Sequence, residues 1–389
     1  MYFRASVSNI SLTPGTPPEL VPTVVAATGT GTAQITGVIV APSNPAVVVL
    51  RTLNRGLLRS RDGGTTWTPA NGTLQGAANA VRSVAIHPTN PDIMLRAAGK
   101  SGADGGDRGG LFRTIDAGKS WQKLSLDCDF DGVGPSAICG EVLAFLPMDP
   151  ETIFAGCETR GLLRSDNAGN NWVNLGLQGQ RITALHANPY FQNQFGQTVI
   201  EAVTCPDRFM PLLGRGKASM TTPARQSMVH VSHDNGKTFR KTASRSDLGY
   251  FNAMSLRCNP HVWLYGTSHG LLYSLSQGTD SFLYSTSLDV DSLRPYTALG
   301  ASIAGSQLCT RKFVAALNPK QPGHISRCDL GGDVWSWAVS ENQSPAGVIA
   351  ITAADLQPSS SGNSWWILGT DGLYRSNDNG ITVQKVPVQ

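Results

Sequence analysis

Asp127, Asp129 and Asp131 alternate along Asp127-Cys128-Asp129-Phe130-Asp131-Gly132. This is the Asp-x-Asp-x-Asp-Gly spacing with which carboxylates converge on a hard cation such as Ca2+, the glycine permitting the sharp turn behind them. The bidentate Glu that closes such a loop is absent: Ile138 stands in its place, and Glu141 follows three residues later. The match is therefore partial, and a solvated acidic loop accounts for the same residues. A second group precedes a glycine at equivalent points of a recurring strand: Asn54 and Arg55 before Gly56, Glu158 and Arg160 before Gly161, His269 before Gly270, and Asp371 before Gly372. Mixed charges gathered on one rim suit a small polar ligand, a glycan or a peptide. Arg208 and Arg215, in the long connection from Cys205 to Gln226, add cations to that rim. Asp104, Asp107, Glu158 and Asp371 are the carboxylates available for acid/base cleavage of a glycosidic bond.

A repeat must position these residues. One short turn returns seven times at intervals of about fifty residues, the mark of a repeat architecture. The clearest copies are Ser60-Arg61-Asp62-Gly63-Gly64-Thr65-Thr66-Trp67, Thr114 to Trp121 and Ser232 to Phe239. Ser165 to Trp172 and Ser376 to Val383 are worn copies; Ser274 to Gly278 and the stretch around Asp329 are decayed ones. Asp or Asn closes such a turn by accepting backbone amides two residues on, Gly supplies a positive φ, and the aromatic wedges between sheets. Asp62, Asp116, Asn167, Asp234 and Asp378 are thus structural, although they look like a row of catalytic carboxylates.

A second signature runs in phase: apolar strands ending at Asn44-Pro45, Asn90-Pro91, Asp149-Pro150, Asn188-Pro189 and Asn259-Pro260. Asx-Pro starts turns and bars helix. Each unit reads strand, Asx-Pro turn, strand, Gly-led strand, turn, aromatic-led strand. Four antiparallel strands per unit predict an all-β, seven-bladed β-propeller over residues 31–389, with the Asp turns between third and fourth strands. Asn318-Pro319 lies too close to Asp329 for the usual spacing, so the sixth unit admits two strand assignments. Residues 1–30 form an extended, Pro-rich arm suited to docking on a protein partner by strand addition. Trp263 and Trp366 align in second strands, for packing between blades or for stacking on sugars. Arg59, Arg113, Arg164 and Arg375 recur in register and are expected to pair with turn carboxylates or carbonyls.

The composition bounds the rest. A net charge of +4 over 389 residues, without a basic stripe, argues against nucleic acid. No apolar run approaches the roughly eighteen residues that span a bilayer, and no secretory signal opens the chain. Seven cysteines argue against a full disulfide framework. Either Cys128 and Cys139 bridge the loop between them, or all seven are thiols of a reducing compartment.

The pattern Ser/Thr-x-Asp-x-Gly-x-x-Trp/Phe resembles the Asp-box (BNR) repeat of sialidases and related propellers, in which these turns lie on the face away from the ligand. The Arg-Ile-Pro motif of sialidases is missing, which sets that activity aside. The Gly-Leu-Leu-Arg-Ser style of Gly56 to Ser60 is similar to Asp-box xyloglucanases, which build a groove between two tandem propellers, each giving one carboxylate. This chain is too short for two. It resembles in plan the single, non-catalytic Asp-box propellers: assembly factors of the Ycf48 type and propellers of phage tails or cell surfaces. That resemblance implies a binding or scaffolding protein, a virion tail or surface component holding a host glycan or a structural protein. The location it implies is a virion or an extracellular-facing site reached without a signal, and otherwise the cytoplasm. The alternative is a glycoside hydrolase acting through carboxylates on the rim.

Overall fold

The computed structural model describes residues 35–241 apart from 54, 101–108, 134–136, 138–139, 193–195 and 206–227; further on it describes the backbone of the strands between 251 and 353, and residues 364–388 apart from 370–371 and 378–381. The strands assemble into seven four-stranded antiparallel sheets, each a meander of neighbours in sequence. The first holds β1 (Ile35–Ala41), β2 (Asn44–Thr52), β3 (Gly56–Ser60) and β4 (Thr68–Pro69). The second holds β5 (Val81–Ile86), β6 (Met94–Ala98), β7 (Gly110–Thr114) and β8 (Gln122–Lys123). The third is β9 (Leu143–Leu146), β10 (Asp149–Gly156), β11 (Leu162–Ser165) and β12 (Val173–Asn174). The fourth is β13 (Arg181–Gln192), β14 (Thr198–Cys205), β15 (Met228–Ser232) and β16 (Arg240–Lys241).

The fifth comprises β17 (Phe251–Met254), β18 (Trp263–Thr267), β19 (Gly270–Ser274) and β20 (Phe282–Tyr284). The sixth comprises β21 (Tyr296–Ser302), β22 (Arg311–Ala316), β23 (His324–Asp329) and β24 (Ser336–Ser340). The seventh comprises β25 (Val348–Ala353), β26 (Trp365–Gly369), β27 (Gly372–Ser376) and β28 (Gln384–Val386). Asn318-Pro319 therefore falls between the second and third strands of its sheet, not between the first and second.

The first strand of each sheet lies against the first strand of the next, and β25 and β26 lie against β1, so the series closes on itself as a β-propeller. Strands so placed are covered on both faces, which is why Val47 to Leu50 are all buried instead of alternating. The apolar cores fill the seams between neighbouring sheets. Val38, Leu50, Trp366 and Leu368 join the first and seventh sheets; Val47, Val49, Val84 and Met94 join the first and second; Leu143, Phe154, Ile182 and Ile200 join the third and fourth. At about 1.5–3 kcal/mol for each fully buried large apolar side chain, these seams are what makes a sheet depend on its neighbours.

The repeated turn has one geometry wherever it is described. Ser60 Oγ accepts the amide of Gly64 at 2.8 Å and donates to Asp62 Oδ1 at 2.8 Å. Asp62 Oδ1 accepts the amides of Thr65 and Thr66 at 3.0 and 2.9 Å, and its Oδ2 takes the Thr66 hydroxyl at 2.6 Å. The aspartate thus reaches amides three and four residues on, not two. Asp116, Asn167 and Asp234 repeat the bond to the fourth amide. Two successive residues hold positive φ: Gly63 and Gly64, Ala117 and Gly118, Ala168 and Gly169, Asn235 and Gly236. The glycine is obligatory because each turn packs on the sheet before it. A Cβ at Gly64 would stand 2.3 Å from the Trp366 ring, one at Gly118 2.7 Å from the Ala70 carbonyl, one at Gly236 2.4 Å from Phe154. Asp378 and its glycine lie outside the described residues.

The recurring arginines cross the same seams. Arg164 donates to the Asn235 carbonyl at 2.7 Å and Arg375 to that of Gly63 at 2.9 Å, while Arg59 holds Asp92 at 2.6 Å. Trp366 is fully buried, edge-on to Trp67 at 6.2 Å and beneath Arg375, so it packs the seam and takes no sugar. The side chain of Trp263 lies outside the described residues.

Candidate functional site

At the end of the sheets away from the repeated turns, strand ends carry charges into the interior. The charged residue stands where an apolar strand begins or stops: Arg51 late in β2, Arg82 in β5, Glu141 just before β9, Glu158 just after β10, and Arg181 opening β13. Arg51 pairs with Glu141 at 2.9 Å and donates to the carbonyls of Arg82 and Ala137, both at 2.8 Å. The second Glu141 oxygen accepts the Ser83 hydroxyl at 2.6 Å and the Val84 amide at 2.7 Å. Arg82, with no exposed surface, donates to the carbonyls of Gly140 at 2.6 Å and Thr183 at 3.1 Å. Arg181 meets Glu158 at 2.6 Å, their side chains 4 % and 12 % exposed. A chain of paired charges thus runs through the first four sheets. Each member is balanced by an opposite charge or by carbonyl oxygens, as burial of an ion requires.

Glu158 is the one carboxyl here that burial pushes above its ordinary value. Arg181 and Arg82 pull against that rise, while Asp131 and Asp129 add to it.

Beside Glu158 lies the acidic segment, and it is sewn down rather than open. Asp127 accepts Arg160. Asp129 Oδ1 accepts the Thr159 hydroxyl at 2.9 Å and its amide at 3.3 Å, and the Asp129 carbonyl accepts the Glu158 amide at 3.1 Å. Asp131 bridges to Lys100 along the backbone, and its carboxylate accepts the Val133 amide at 3.3 Å. Among the described residues no three His, Cys, Asp or Glu side chains are gathered to hold a metal ion. The alternating spacing instead spreads the carboxylates over separate protein donors. An open depression of about 500 Å³, lined by Lys123, Leu124, Ser125, Leu126 and Asp127, leads into this segment.

One expectation is corrected outright. Cys128 is joined to Cys157, not to Cys139. The two are 29 residues apart in sequence, but the fold lays the segment over the end of β10 and brings their Cα atoms to 5.5 Å. The disulfide also overturns the alternative that all seven cysteines are thiols.

Glu158, Arg160, Asp127, Asp129 and Asp131 therefore come together, each held by a protein partner: Asp127 by Arg160, Glu158 by Arg181, Asp129 by Thr159 and Asp131 by the Val133 amide. Arg55 stands exposed above the first sheet, its amide on Thr52 Oγ1 at 3.0 Å. Asn54, His269, Asp371, Arg208 and Arg215 lie outside the described residues, as do Asp104, Asp107 and the arm. Sequence reasoning missed Arg51, Arg82, Glu141 and Arg181. Their signal is present: a charge at the edge of each unit's apolar run, as in Val81-Arg82-Ser83 and Arg181-Ile182-Thr183.

For general acid/base hydrolysis a second carboxyl must stand about 5–9.5 Å from the first with a free path to the sugar. Here Glu141, Asp127 and Asp129 are each occupied by an arginine, a hydroxyl or an amide. Among the described residues the arrangement is a platform of paired polar groups.

No family model matches the chain. A xyloglucanase from a Paenibacillus species is 23% identical over 332 residues, 79% of this chain and 32% of the relative. Xyloglucanase Xgh74A of Acetivibrio thermocellus is 33% identical over 94 residues, 24% of this chain and 11% of the relative. The chain spans about a third of the first of these and a tenth of the second. Among solved structures, the GH74 xyloglucanase of Xanthomonas campestris superposes with a TM-score of 0.69 at 17% identity, over 90% of this chain and 53% of that one. YCF48 from Cyanidioschyzon merolae superposes with a TM-score of 0.55 at 15% identity, over 90% of this chain and 97% of that one. Such likenesses establish the shared fold: a β-propeller built on the plan of one and of the other.

Proposed function

We propose that this chain is a seven-bladed Asp-box propeller that binds a polysaccharide across the face bearing Glu158 and does not cleave it. The observation that supports non-catalytic binding is the pairing of the charges on that face. Arg51 with Glu141 and Arg181 with Glu158 form a largely buried frame, above which Arg160 and Asp127 stand exposed as donor and acceptor. Fixed polar groups recognise hydroxyls without reorganising. The carbohydrate class rests on the 23% identity with a xyloglucanase over most of this chain. The relatives found give no support to a place on a virion. The test is binding of the purified chain to xyloglucan and other β-glucans in affinity gels, with chromatography of the recovered polysaccharide. Retarded migration with undegraded polymer is expected; no retardation by any polysaccharide overturns the proposal.

A glycoside hydrolase is the second reading, favoured by one observation: the carboxyl of Glu158 is raised by burial, as a general acid requires. Its partner carboxylate would have to come from Asp104, Asp107, Asp371 or a second propeller. Shortened products in the same experiment, lost in Glu158→Gln, would establish it.

A further inference from the structure

Residues 127–132 form a strap across the seam between the second and third sheets, and its two halves are held differently. Phe130 is buried to 1 % in the apolar core of the seam, and on the second sheet Gly132 donates to the Gly99 carbonyl at 2.9 Å. A Cβ at Gly132 would stand 2.1 Å from the Ala80 carbonyl, so this half is wedged in place. On the third sheet Cys128 is buried in the same core, but no backbone is wedged there as at Gly132 and the polar ties are weak. The Arg160–Asp127 pair is 51 % and 74 % exposed, worth little in water, and the remaining ties are the bonds that Asp129 accepts from Glu158 and Thr159. The Cys128–Cys157 disulfide is the strong fastening of that half.

We propose that this disulfide is a redox-sensitive latch. A dithiol reductant opens it, after which residues 127–129 lift from the third sheet while 130–132 stay on the second. The sulfurs are 7 % and 1 % exposed by residue, so attack follows a local opening of the exposed ties above them. A reductant thiolate then attacks one sulfur, the S–S bond breaks, and a mixed disulfide forms. The reductant's second thiol displaces the bound cysteine and leaves as a closed disulfide. Two electrons and two protons pass to Cys128 and Cys157, which end as thiols. What the latch controls is the wall beside Glu158, because the Glu158 and Thr159 amides lose their acceptors when Asp129 departs.

The experiment is thiol alkylation with peptide mapping, together with amide hydrogen exchange, on the full chain with and without dithiothreitol. Untreated protein should yield Cys128 and Cys157 as one linked peptide. After treatment both should alkylate with the circular dichroism unchanged, and exchange at the Glu158 and Thr159 amides should accelerate at least about tenfold. Exchange at Gly132 and along β10 should hold. The Cys128→Ser/Cys157→Ser variant should reproduce the reduced pattern. Free thiols at both positions in untreated protein would overturn the proposal. So would reduction that comes only with global unfolding, or unchanged exchange at Glu158 and Thr159 in the reduced protein or the folded variant.

Discussion

The two ends of the sheets solve the same problem, a strand reversal beside a packed seam, in opposite ways. At the turn end the solution is copied: a hydroxyl, a carboxylate or amide, two positive-φ residues and an aromatic, each copy closed almost entirely by its own residues. At the other end each join is different. Arg51 reaches from the first sheet to Glu141 at the third, Arg82 from the second to Thr183 at the fourth, and a disulfide ties the strap to β10. Local closure makes the turn end modular and repeatable. Long-range closure makes the opposite end unique, and uniqueness is what a binding face needs.

The comparison predicts where damage spreads. Arg82→Ala should have the largest effect, a loss of about 3–5 kcal/mol in denaturant unfolding, because it strips two charge-assisted bonds from buried carbonyls. A loss below about 1 kcal/mol would mean that water readily replaces the guanidinium there. Next comes Gly64→Ala, from the copied end. Its φ of 90° and the nearby Trp366 ring together predict a loss of about 2–4 kcal/mol, measured the same way. Gly76→Ala is its control, since nothing lies within 4 Å of the added methyl although φ is 61°. Near-equal losses at the two glycines would assign the cost to the backbone alone.

Protonation should separate the ends by sign. Hydrogen bonds from Thr66, and from Ser120 in the second copy, hold the carboxyls of Asp62 and Asp116 down to about 2, from an ordinary 3.8. The folded state therefore binds these protons more weakly than the unfolded chain does. The contribution of both turns is whole above about pH 4 and is lost as pH falls toward 2. Glu158 runs the other way. Burial raises it, so its contribution is whole below its ordinary 4.5 and is lost as pH rises through the raised value. Carboxyl titration by NMR on selectively labelled protein checks the order: Asp62 and Asp116 lowest, Glu158 highest. Glu158 titrating at or below 4.5 would show that Arg181 outweighs burial.

How much was legible follows the same division. The turns and the Arg59, Arg164 and Arg375 register could be read from spacing because their partners recur at fixed distances along the chain. The second positive-φ position was hidden, since alanine and asparagine fill it in three of the four described copies. The partner of Cys128 could not be read, because Cys157 becomes its neighbour only when the strap crosses the seam. Arg82 and Arg181 look like polar edges of strands until the fourth sheet supplies Thr183 and the third supplies Glu158. The partners of the alternating carboxylates could not be read either: Asp127, Asp129 and Asp131 meet three sets of donors by contacts that no local pattern encodes.

The smallest effect sharpens the contrast most. Arg160 and Asp127 form an ion pair on the face proposed to bind polysaccharide, and both are largely exposed. Arg160→Ala should cost no more than about 0.5–1 kcal/mol, because solvent and salt screen such pairs and ordering two long side chains offsets the attraction. The same substitution should weaken polysaccharide retardation if the rim contacts the ligand, since binding loses a donor whether or not the fold needed it. A stability loss near that of Arg82→Ala would instead make the pair part of the buried lattice, and the border between framework and binding face would then lie outside Arg160.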